Sequence, residues 1–153
     1  MTAEALFVGI ATIAVVIAGF TGITAGLGSS SAGQSLRQRA IVSTSFNVTF
    51  ESLVPLVLFA MTGDERMSMV IASAGVALYA LVIVLVRARQ MLRSGALAAR
   101  GARVMFVAGP LATLLFATNA LYFMSSGVFA LALLVQLSVA AVSFYTLVAN
   151  ASR

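Results

Sequence analysis

One acid stands apart from every other charged group in this sequence. Glu51 lies in "STSFNVTFESLVPLVL" (43–58), with Ser43, Thr44, Ser45, Asn47, Thr49 and Pro55 around it. A carboxyl set among hydroxyls and an amide can bind a proton or a small cation. In a helix, residues three and four apart share a side, which groups Thr44, Asn47, Val48, Glu51 and Pro55. Pro55 has no N–H to give to the carbonyl of Glu51, four residues earlier. The helix is therefore expected to be broken beside the carboxyl, with an acceptor released there. The polar residues precede Glu51, whereas residues 53–60 are almost wholly apolar. That asymmetry predicts a vestibule lined by Ser43, Thr44 and Asn47, open on one side and plugged on the other.

The element that carries Glu51 belongs to a chain whose solvent reads as lipid. Of 153 residues, 61% are hydrophobic and 8% charged, and the mean hydropathy is +1.11. Soluble domains carry about 25% charged residues, so too few remain here to build a wetted exterior. A single membrane domain, 1–153, fits this length. The net charge of +5 comes from nine Arg against four acids, without Lys. Those arginines fall between apolar segments, which argues for orientation in a bilayer and against a nucleic-acid partner. Cys and His are also absent, which removes thiol chemistry, Fe–S ligation, the usual haem ligands and a Ser–His pair. Without Lys there is no Schiff base, and a retinal protein is excluded. The expectation is no enzyme, no cofactor and no resident metal.

An all-α bundle follows, because a spanning helix needs roughly 20 apolar residues and five stretches qualify: 5–27, 40–61, 67–86, 104–124 and 128–148. The first lacks the positive leader of a signal peptide and is expected to be a retained helix. "GSSSAGQSLRQR" joins spans one and two, and "TGDER" joins two and three. A basic loop, 87–103, precedes span four, and "SSG" at 125–127 separates the last two. Five crossings put Arg37, Arg39, Arg87, Arg89, Arg93, Arg100, Arg103 and Arg153, eight of nine arginines, on one side. The positive-inside rule then predicts N-terminus out and C-terminus in, in a bacterial cytoplasmic membrane. Arg87, Arg89, Arg93, Arg100 and Arg103 are expected to touch anionic lipid headgroups.

Within the spans, Ala14, Ala18, Gly22 and Gly26 recur at four-residue spacing, a strip of small residues where another helix can approach closely. Asn119, Tyr122 and Gln136 are candidates to face the same space as Glu51, and Gly109-Pro110 is expected to kink span four or to begin its regular helix. The runs "VIAGFTGI", "LRQRAIVSTSF" and "LVPLVL" resemble a loose pattern in small bacterial multi-span membrane proteins of uncharacterised function, a resemblance that covers roughly the first 60 residues and implies no activity. Small multidrug-resistance transporters also carry one membrane acid, but in the first of four helices, so the match fails.

An ionised acid at the middle of a span costs several kcal/mol, roughly 2.5–3.5 on insertion scales, and no arginine lies at its depth. Three states remain: a protonated carboxyl, a carboxylate in a wet cavity, or a carboxylate holding a cation. The function expected is passage of a proton or small cation through a channel or coupled carrier, with a homo-oligomer or partner subunit completing it. The alternatives are a non-catalytic accessory subunit or a lipid-binding protein, with Glu51 bonded to Asn119 or Gln136 merely to hold helix register. A reporter fused after Arg153 tests the orientation: fluorescence of a cytoplasm-dependent reporter is expected, and activity of an export-dependent one would reverse the assignment.

Overall fold

A computed structural model of the chain describes the backbone over residues 2–27, 32–94 and 100–151, and side chains over 2–24, 38–86, 88–89 and 107–149. The described residues form helices joined by short turns: α1 (Ala3–Leu27), α2 (Ala32–Thr62), α3 (Glu65–Ser94), α4 (Arg100–Thr118), a π-helical turn (Asn119–Phe123) and α5 (Ser126–Ala151). There is no strand among them. Four helical segments are long and apolar enough to cross a membrane: Ala3–Thr24, Gln38–Thr62, Glu65–Val86 and Ser126–Ala149. The described apolar part of α4 and its π turn, Val107–Phe123, is shorter; the expected span 104–124 also takes in three residues whose side chains lie outside the described ones.

The expected basic loop is corrected. The described part of 87–103 is helical, since α3 runs on to Ser94 and α4 starts at Arg100; residues 95–99 lie outside the described residues. Likewise α2 begins at Ala32, well before the expected 40. Arginine, alanine and glutamine are strong helix formers, so charge ends the apolar run without ending the helix.

The turns at the other end are built by local chemistry. Gly63 has φ +68, the left-handed conformation that glycine adopts freely, and its N–H bonds the carbonyl of Phe59 at 2.8 Å. Asp64 Oδ1 then accepts the N–H of Met67 at 3.0 Å, capping the start of α3. After the π turn, Met124 is left-handed with φ 49, and Ser125 Oγ accepts the N–H of Gly127 at 3.2 Å, capping α5.

Around the bundle the order is α1, α2, α3, α4, α5 and back to α1, with α2 and α5 also touching through the middle. Phe129 of α5 meets Phe7 of α1 edge-on at 5.6 Å and Phe116 of α4 at 5.0 Å. All three rings are buried, and they close the core near the Gly63 and Ser125 turns. Edge-to-face pairs of this kind contribute about 0.5–1.5 kcal/mol beyond the area they bury.

The small-residue strip on α1 is corrected too. Phe7, Ala11, Ala14, Ala18 and Thr21 are buried, whereas Gly22 is exposed, and a Cβ on Gly22 would meet nothing within 4 Å. Four-residue steps overshoot a helical turn of 3.6 residues by roughly 40° each, so a strict four-residue line drifts off the packing face within two steps. Alternating steps of three and four stay on it. Gly26 has its side-chain position outside the described residues. Ala14→Leu is expected to overpack the α1 interface and lower stability by about 1–3 kcal/mol, while Gly22→Leu leaves the protomer folded. Unfolding in a mixed-detergent titration checks both.

Candidate functional site

Helix α2 packs on α1, α3 and α5, and its inward stripe is Gln38, Ile41, Ser45, Val48, Ser52 and Pro55, all buried. The steps alternate between three and four residues, the spacing that keeps one seam facing a neighbouring helix. Glu51 flanks that stripe and is 5% exposed. It therefore points into the bundle and not at the surroundings. Gln136 of α5 supplies the side chain that hydrogen-bonds with the carboxyl. Its other oxygen, Oε2, is buried with no hydrogen-bond partner, and so is Ser45 Oγ; these are the two such side-chain atoms among the described residues.

Other hydroxyls on α2 are already engaged. Ser52 Oγ donates to the carbonyl of Thr49 at 2.8 Å, and Thr49 Oγ1 to that of Ser45 at 2.9 Å. Serine and threonine in helices commonly turn back on the preceding turn in this way. Pro55 is buried at the core, yet α2 continues through it to Thr62. Pro110 is exposed, and α4 likewise runs through it from Arg100 to Thr118. The expected helix breaks are corrected: each proline removes one donor while the turns on either side keep theirs. Gly109 matters differently, because a Cβ there would meet Val84 Cγ2 at 3.0 Å, so its bareness lets α3 and α4 approach.

The residues expected to line a vestibule do not gather around Glu51. Ser43 is exposed and Thr44 half-buried. Asn47 accepts a hydrogen bond from the Tyr79 hydroxyl at 3.2 Å, which ties it to the outer seam between α2 and α3. Sequence neighbours one residue apart diverge by roughly 100° around a helix, so Ser43, Thr44 and Ser45 look in three directions, and only Ser45 looks in.

Of the second set, Gln136 meets Glu51 and the other two do not. Asn119 is fully buried; its amide donates to Ser73 Oγ at 2.8 Å and its carbonyl accepts the Ser125 N–H at 2.9 Å. It fastens the π turn to α3 and to the start of α5. Tyr122 is 77% exposed on the outside of the π turn. Arg89 is exposed on α3, and the side chains of Arg87, Arg93, Arg100 and Arg103 lie outside the described residues.

The burial of Ser45 and Gln38 and the bond of Ser73 to Asn119 were not assigned from the sequence alone. The signal for the first two was the alternating three-four spacing from Gln38 to Pro55. Ser73 had none, since its partner is 46 positions away. No group of three or more metal-ligating carboxylates, His or Cys exists among the described residues.

Comparison with protein-family models, curated proteins and solved structures finds no match. Asn119→Ala is expected to destabilise the fold, since it leaves the Ser125 N–H and the Ser73 hydroxyl without their buried partner, at about 1–3 kcal/mol for each. Unfolding in mixed detergent against wild type measures the loss.

Proposed function

We propose that this is a small integral membrane protein that passes a proton or small cation, with Glu51 as the binding group between the two faces. The observation that carries the proposal is the enclosed Glu51 carboxyl, 5% exposed, bonded to Gln136 and with Oε2 unpartnered. Ionisable groups within apolar helices are costly and mark ion or proton pathways by default. Helices long and apolar enough to span support the membrane setting. The charge distribution supports five spans with the N-terminus outside and the arginine-rich ends inside a bacterial cytoplasmic membrane, where the arginines meet anionic headgroups.

Each protomer holds its Glu51 inside its own bundle. A homo-oligomer would therefore multiply separate pathways and would not gather several carboxyls into one.

Two observations favour a second reading, a non-catalytic accessory subunit of a larger membrane assembly. The Gln136 pairing is also what a register-fixing hydrogen bond looks like, and Gly22 faces outward with open space beside it, as a helix-contact position for a partner would. On that reading Gly22→Leu releases the partner while the protomer stays folded.

Flux in proteoliposomes separates the two. Glu51→Gln is expected to reduce proton or cation movement to the protein-free background, and Glu51→Asp to retain part of it. A wild-type protein that moves neither under any gradient removes the transport reading.

A further inference from the structure

We infer that the species handled at Glu51 is a proton and not a metal cation, and that it reaches the carboxyl past Ser45 and not past Ser43, Thr44 or Asn47. The inference rests on the passage function proposed above and specifies it.

A dehydrated metal cation needs a cage of oxygens, about six to eight for calcium and near-octahedral for magnesium. Glu51 has no second acid to share such a cage: the others, Glu4, Asp64 and Glu65, lie at helix ends, and no group of three or more metal-ligating side chains exists among the described residues. The Ser52 and Thr49 hydroxyls are turned back on carbonyls of their own helix, and Asn47 is held by the Tyr79 hydroxyl at the seam with α3. What stays open at the carboxyl is Oε2 itself, together with the Glu51 carbonyl that Pro55 cannot serve. A proton asks for one lone pair. It adds to the carboxylate from a water on one side, forming the O–H bond, and leaves to a water on the other, with no net change at Glu51.

Charge around the site does not oppose this. Of the helices packed on α2, α1 carries no titratable group beyond Glu4, and α5 carries Tyr145, which is exposed. On α3 the ends hold Glu65, Arg66 and arginines, and between them lies Tyr79, directed at Asn47.

The route follows from burial. Ser45 Oγ is the second unpartnered buried oxygen, two helical turns from Ser52 toward the arginine-rich end, and Gln38 lies two turns further on the same stripe. Ser45 lies six residues before Glu51, a helical rise of roughly 9 Å, too far for a direct transfer and suited to two or three waters between polar stations. Toward the opposite end the hydroxyls on α2 are taken: Ser52 bonds the Thr49 carbonyl, and Thr62 is exposed and bonds the Leu58 carbonyl.

Proteoliposomes carrying wild type, Glu51→Gln, Glu51→Asp, Ser45→Ala and Thr44→Val test this, with a trapped pH dye for protons and radiolabelled sodium and rubidium for cations. Expected are proton flux without cation flux in wild type, loss in Glu51→Gln, partial flux in Glu51→Asp, a fall of about tenfold in Ser45→Ala (one hydrogen bond's worth), and no change in Thr44→Val. Because the Ser45 hydroxyl has no partner to lose, Ser45→Ala is expected to keep wild-type stability, so its lower flux does not report unfolding. Sodium or rubidium flux that depends on Glu51 overturns the proton inference and leaves the passage function standing. Proton flux that falls in Thr44→Val but not in Ser45→Ala overturns the route. Absence of all flux in wild type overturns both the inference and the function beneath it.

Discussion

The bundle is organised around enclosing one carboxyl within helices that otherwise satisfy themselves. Thr12, Thr21, Thr49, Ser52, Thr113, Thr118, Ser138 and Thr146 all turn their hydroxyls onto carbonyls of their own helix. In the lipid setting that composition predicts, every polar group must find such a partner. Glu51 does not: its carboxyl bonds Gln136 of α5, and Oε2 has no partner. That bond joins α2 to α5 where the two helices touch through the middle of the bundle.

The two ends of the molecule are built on different terms. Toward the Gly63 and Ser125 turns, three buried phenylalanines and the Asn119 hydrogen bonds tie α1, α3, α4 and α5 together. The core there is apolar and fastened. Toward the arginine-rich end, the smaller cluster of Ile41, Ala140 and Leu147 shares the interior with Gln38, Ser45 and Thr21. On α2 the unpartnered Ser45 hydroxyl and the buried Gln38 both lie on the arginine-rich side of Glu51, which gives the proposed pathway its direction.

Much of this was legible without coordinates. Apolar runs separated by charge located the helices, and the isolation of Glu51 singled out the residue that the fold encloses. Helix extent was not legible, because arginine and alanine end a hydrophobic run yet continue a helix. The lining of the site was misread for a related reason. A polar cluster in sequence looks like a polar surface, but Ser43, Thr44 and Ser45 are spread around the helix, and Asn47 has a partner on α3.

Composition and spacing determined the all-helical class, the predicted lipid setting and the identity of the buried acid, because hydrophobicity and charge are properties a residue keeps wherever it is placed. Only the tertiary structure decided which face of each helix turns inward, that Gln136 and not Asn119 meets Glu51, and that Ser45 is left unpartnered. Those outcomes depend on distances between residues far apart in the chain. Packing sets such distances, and no local pattern records them.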